Sequence, residues 1–295
     1  MKKKSNIFLF TGLLRHKKKL IKSLIQVKLL FLFDSIIIST WEDQLNDKML
    51  LFFFKILNIQ IISNKSKKDP YGLMGNFYYQ MKSMEYGLNR IEDNAFVFKS
   101  RTDVHIKPSA IRKILKLDYE LTEPSFFNYK IWIPYFEVTK IFYFGDECFY
   151  GNCEDLKKFT NYETIFDEIG MDAGTSHVRR FGFPYTNHDK KYLNLLKQYG
   201  NCHFGEERFS ILEDRLKQKD YLKYLNSYYN LVKREFRVGL INETNYITFR
   251  KWSSGEIFPK SDEIFKSLTK KNACLEQGHI FSYDENWLKN LKTFI

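Results

Sequence analysis

The N-terminal half of the sequence alternates short runs of β-branched and aromatic residues with longer amphipathic stretches, and that alternation admits few folds. Strands and helices repeating in turn build βαβ units, a parallel sheet with helices on its faces. Residues 6–12 (NIFLFTG) read as a first strand ending in a glycine turn, and residues 17–33 as a helix with lysines on one face. Residues 34–40, 58–63 and 95–99 read as further strands, and 75–88 as a helix closed by a turn around Gly87 and Asn89. A strand follows at 140–144. From about Cys202 the pattern turns helical, most clearly over 221–235. The expectation is an α/β core over residues 1–200, Rossmann-type with a mainly parallel sheet, and a helical extension over 201–295 packed on it.

Composition sets the outer limits. A chain of 295 residues with 44% hydrophobic and 28% charged residues buries a core and is not disordered. Its net charge of +12 selects anionic partners: nucleic acid, an anionic membrane, or phosphate-bearing substrates. The signatures of DNA- and RNA-binding modules are absent, so nucleic acid is the lesser, non-enzymatic alternative. Cys148, Cys153, Cys202 and Cys274 form no C-x-x-C pair, which argues against zinc and thioredoxin-like chemistry and fits a reducing cytoplasm. The most apolar stretches, 29–33 and 49–62, are cut by Asp34 and Lys55, short of the roughly 20 apolar residues a spanning helix needs. Basic clusters at Lys2, Lys3 and Lys4 and at residues 15–19 (RHKKK) leave open a peripheral contact with an anionic membrane.

In an open parallel sheet, ligands bind beyond the carboxyl ends of the strands. Here those ends carry Thr11 and Gly12, Thr40 and Trp41, Ser63 and Asn64, and the turn from Lys99 through Arg101 to Asp103. Neither G-x-G-x-x-G nor a Walker-type Gly-Lys-Ser/Thr occurs, which disfavours a dinucleotide enzyme or P-loop NTPase. The segment 96–106 (FVFKSRTDVHI) runs from an apolar strand into a polar turn. Asp103 there can supply a carboxylate to a divalent cation, Mn2+ or Mg2+, that neutralises a diphosphate. Arg101 can instead meet phosphate directly, since a guanidinium matches its oxygens in pairs. An ordinary ion pair between the two is the third reading.

Five segments resemble the WavE lipopolysaccharide-synthesis family, over roughly residues 6–215. They are the first strand ending at Thr11-Gly12, residues 36–42 (IIISTWE), residues 76–80 (NFYYQ) with Ser83 and Gly87, residues 98–103 (FKSRTD), and more weakly 146–151 (DECFYG) with Asp155-Leu156. The resemblance implies a GT-A-like fold and a glycosyltransferase acting from a nucleotide-sugar donor onto a lipopolysaccharide or capsular polysaccharide acceptor, lipid-linked or oligosaccharide. GT-A enzymes hold a metal with D-x-D after such a strand; here Arg101 replaces the first Asp and Asp103 remains. Arg15 and its basic neighbours stand where the family shows a proline-containing turn.

Asn76, Gln80, Ser83 and Gly87 fall at helical spacing on one face. The resemblance makes Asn76 and Gln80 expected donor contacts. Trp41 at a strand end is placed to stack on a nucleobase, or to join the core. An inverting sugar transfer needs a base for the acceptor hydroxyl. The acidic pair Glu206-Glu207 opening a helix after Gly205 supplies the first and second candidates, with Asp146 a further one.

Overall fold

The computed structural model describes residues 4–65, 77–123, 125–134, 136–137, 144, 147–160, 214–215, 218–239, 247–248, 273–276 and 279–282. In chain order the elements are β1 (Asn6–Thr11), α1 (Lys17–Leu29), β2 (Ser35–Trp41), α2 (Lys48–Ile56), β3 (Gln60–Asn64), α3 (Phe77–Leu88), β4 (Phe96–Arg101), β5 (Val104–His105) and α4 (Pro108–Ile114). Then come β6 (Ile131–Ile133), β7 (Phe136–Glu137), β8 (Cys148–Asn152), α5 (Cys153–Lys157), α6 (Lys219–Glu235), β9 (Phe236–Val238), β10 (Ile247–Thr248), β11 (Ala273–Glu276) and β12 (His279–Ser282).

The chain forms two compact units. One comprises residues 1–120, 146–160 and 242–251, the other 121–145, 161–241 and 252–295. This division differs from a single cut at residue 200, because segments far apart in sequence pair in space. The described residues after 201 include four short strands as well as helix α6.

The first unit is the α/β fold expected. Its main sheet runs β3-β2-β1-β4-β8, with the first four strands parallel and β8 antiparallel to β4. Strands β1, β2 and β4 are buried along nearly their whole length, as strands covered on both faces must be. One face is aromatic: Phe8 stacks on Phe98 at 5.0 Å and meets Phe10 at a tilt at 4.6 Å, and α1 supplies Ser23 and Val27 beside them. Burying each phenyl ring stabilises the fold by roughly 1.5–3 kcal/mol.

The other face is covered by α3, whose Met81, Met84 and Leu88 are buried. The stripe Gln80-Ser83-Gly87 does not face solvent. Ser83 is buried and its hydroxyl donates to the Gln80 carbonyl at 2.9 Å. Gly87 lies within the helix rather than in a turn after it, so close to the sheet that a Cβ would meet Leu9 Cδ1 at 2.7 Å and Ser39 Cβ at 3.1 Å. The missing side chain is what lets α3 settle onto β1 and β2.

In the second unit β6 and β9 pair in parallel, while β12 pairs antiparallel with β11 and β7. Helix α6 buries Tyr221, Tyr224, Leu225, Tyr228, Leu231 and Val232, a stripe at helical spacing.

Candidate functional site: a pocket at the carboxyl ends of the parallel strands

Register places the strand ends together. Thr11 pairs with both Ser39 and Arg101, and Trp41 with Asn64, so the four carboxyl ends share one edge. At that edge a pocket of about 60 Å³, open to solvent, is walled by Thr11, Gly12, Leu13 and Arg15 on one side. Arg101, Thr102 and Asp103 form a second wall, and Trp41 with Tyr79 and Gln80 of α3 a third.

The loop after β1 is fixed by its neighbours. Gly12 takes φ 109°, a conformation in which an L side chain is strained. The Thr40 hydroxyl donates to the Gly12 carbonyl at 2.8 Å, and the Thr102 hydroxyl to the Leu13 carbonyl at 2.5 Å. The turn so held carries Arg15 to the pocket, exposed and without an ion-pair partner among the described residues. A fixed cation in a cleft is what an anionic ligand requires.

Arg101 and Asp103 form a fork. The guanidinium donates from Nε to Oδ1 at 2.8 Å and from Nη2 to Oδ2 at 2.7 Å, with both side chains nearly buried. Each carboxylate oxygen therefore accepts from the guanidinium, which holds that group flat in the pocket wall.

Among the described residues, three buried polar atoms at this end of the sheet have no hydrogen-bond partner: Thr11 Oγ1, Ser39 Oγ and Trp41 Nε1. Leaving such a group unpaired costs about 1–3 kcal/mol. Functional sites are where such costs are retained. Trp41 is otherwise a core residue, packed edge-to-face against Tyr79 at 5.5 Å and Tyr86 at 6.2 Å.

Of the residues expected from sequence, Thr11, Gly12, Trp41, Gln80, Arg101 and Asp103 line this pocket. Thr40 does not; its hydroxyl supports the Gly12 loop from beneath. Lys99 is buried two residues deeper along β4, its ammonium 4.9 Å from the Phe149 ring centre. Asn76, Asp146, Glu206 and Glu207 lie outside the described residues. Arg15, Leu13 and Tyr79 join the pocket without having been expected there, and Thr102 joins from the 101–103 turn already placed at this edge. Tyr79 was within reach, being one residue before Gln80.

Asp103 is the carboxylate expected to hold a divalent cation. A hard cation takes several oxygen ligands, preferably carboxylates. Among the described residues the pocket offers the carboxylate of Asp103 alone, and both its oxygens already carry the guanidinium. Among the described residues no group of three acidic, His or Cys side chains is placed to hold a metal. His105 turns to the opposite face, with Nδ1 3.0 Å from Ser23 Oγ on α1. These residues do not fit a bound cation.

No protein-family profile and no curated protein matches the sequence. Among solved structures the chain is similar to 4-diphosphocytidyl-2C-methyl-D-erythritol synthase from Anaerococcus prevotii DSM 20548, at 10% identity and TM-score 0.36, over 66% of this chain and 98% of that one. It is also similar to the galactosyltransferase LgtC solved with donor and acceptor sugar analogues, at 12% identity and TM-score 0.33, over 75% and 83% of the two chains. HddC from Yersinia pseudotuberculosis matches at 10% identity and TM-score 0.32, over 52% and 79%. Likeness this loose assigns no activity to the present chain. Among the described residues no helix is long and apolar enough to cross a membrane.

Proposed function

We propose that this chain is a glycosyltransferase that takes a sugar from a nucleotide-sugar donor bound in the carboxyl-edge pocket. One observation carries the reading: two arginines from different strand ends, Arg15 and the Asp103-clamped Arg101, meet at one pocket beside unpaired polar groups of Thr11 and Trp41. The diphosphate of a donor carries the charge two guanidinium groups match, and Tyr79 and Gln80 provide aromatic and amide surface for the remainder. The acceptor class, a lipopolysaccharide or capsular glycan, comes from the WavE resemblance, and residues 201–295 are proposed to recognise it.

In this reading Arg101 donates hydrogen bonds to the leaving diphosphate from a preorganised position, and Arg15 supplies the uncompensated positive charge. Asp103 holds it in place. Glu206, with Glu207 and Asp146 as the other candidates, accepts the proton of the acceptor hydroxyl, worth typically 10²–10⁴-fold in rate. The test is nucleotide release from UDP-, GDP-, CMP- and ADP-sugars in the presence of a lipid-linked acceptor extract. Turnover of one donor, lost in Arg101→Gln and strongly reduced in Glu206→Gln, supports the reading; no release from any donor overturns it. Turnover of a nucleoside triphosphate instead would point to a transferase of another activated phosphate donor.

A further inference from the structure

Helices α1 and α2 run side by side, joined near their starts by the Lys17–Asp47 ion pair at 2.8 Å. Together they hold seven lysines, at positions 17, 18, 19, 22, 28, 48 and 55, and not one acidic residue. Helix α2 reads KMLLFFFKI and buries Leu50 and Phe54. Its other face leaves Met49, Phe52 and Ile56 exposed by 66%, 58% and 60%. Those three positions are spaced i, i+3, i+7, so they form one stripe. Lys48 and Lys55 flank it along one edge. At the end of α1, Leu29 is 62% and Phe31 84% exposed, and Phe31 sits at φ 54°, which bulky residues seldom adopt.

Scattered exposed apolar residues are ordinary, but a one-sided stripe flanked by lysines, with no carboxylate on either helix, is not. A protein partner for such a face would need its own apolar patch and acidic rim. An anionic lipid surface supplies both at once, headgroup charge for the lysines and acyl chains for Phe52 and Ile56. We infer that α2, with the end of α1, is a docking face for an anionic membrane, lying in the headgroup layer with the Met49-Phe52-Ile56 stripe inward. The basic run at residues 15–19 does less of this than its charge suggests, since Arg15 serves the pocket and Lys17 pairs with Asp47.

The test is co-sedimentation of the full chain with vesicles of phosphatidylglycerol and phosphatidylcholine in equal parts, against vesicles of phosphatidylcholine alone. Binding is expected only to the anionic vesicles and only at low salt. Lys48→Gln/Lys55→Gln should weaken it about thirtyfold, and Phe52→Ser/Ile56→Ser at least about tenfold. All four positions are exposed, so circular dichroism should be unchanged. Binding that survives the Phe52/Ile56 change, or equal binding to both vesicle types, overturns the inference. So does absence of vesicle binding together with a dimer that the same change converts to monomer, which would make the stripe a contact between two copies.

Discussion

Arg101 donates both Nε and Nη2 to the two oxygens of Asp103, at 2.8 and 2.7 Å, across a two-residue separation at the end of β4. Where a metal-dependent transferase would place two carboxylates, this chain places a carboxylate and the cation that it holds. The pair is net neutral and makes the pocket wall rigid, and Arg15 is the pocket cation without an ion-pair partner among the described residues. Arg101→Lys keeps the charge but loses the fork, and should weaken binding of inorganic pyrophosphate about tenfold or more. Asp103→Asn should cost less, because its amide oxygen still accepts one bond. Isothermal titration of the two variants against wild type gives the order.

Chelation offers a separate check. If the guanidinium groups of Arg15 and Arg101 hold the diphosphate, pyrophosphate affinity should be the same in excess EDTA and in added manganese. A strong dependence on manganese that Asp103→Asn abolishes would restore the cation expected from the sequence.

Gly87 sets how closely α3 approaches the sheet, and α3 carries Tyr79 and Gln80 to the pocket. Gly87→Ala puts a methyl group against Leu9 and Ser39 at 2.7 and 3.1 Å. Overpacking of this kind typically costs about 1–3 kcal/mol. Urea unfolding should show the loss, and pyrophosphate binding should weaken with it. A helix surface with room to spare would show neither effect.

His105 has its pKa lowered from the usual 6.5, first by burial and then by the nearby charge of Lys22. The folded state therefore disfavours the imidazolium. As pH falls through about 6.5 the unfolded chain takes up the proton before the folded one does, so stability is lost below that pH and level above it. In His105→Gln this part of the pH dependence should vanish. Melting temperatures of both proteins between pH 5 and pH 8 measure it.

Much of the carboxyl edge could be read from the sequence, because a buried parallel strand is a short apolar run and its end is the first polar residue after it. Thr11 follows from that rule alone, while Trp41 and Arg101 lie two residues past the first polar residues, Ser39 and Lys99. Helix α2 could not be found the same way. KMLLFFFKI is apolar nearly throughout, and only the fold shows Leu50 and Phe54 inward and Phe52 outward. Arg15 was hidden for another reason. A basic run reads as a solvated face, and it takes the φ 109° turn at Gly12 to bring one member back over the pocket. Thr40 and Lys99 show the converse: polar residues near a strand end that face loop carbonyls and a ring instead of open space.

The central claim is that the pocket between Arg15, Arg101 and Tyr79 holds a nucleotide-sugar donor, and thermal unfolding in the presence of UDP-, GDP-, CMP- and ADP-sugars tests it most directly. A ligand at a hundred times its dissociation constant stabilises the native state by about 2.7 kcal/mol, which is readily seen as a rise in melting temperature. One donor class should raise it, with EDTA present, and the rise should disappear in the Arg15→Gln/Arg101→Gln variant. No stabilisation by any of the four, or a rise that persists in that variant, would contradict the account.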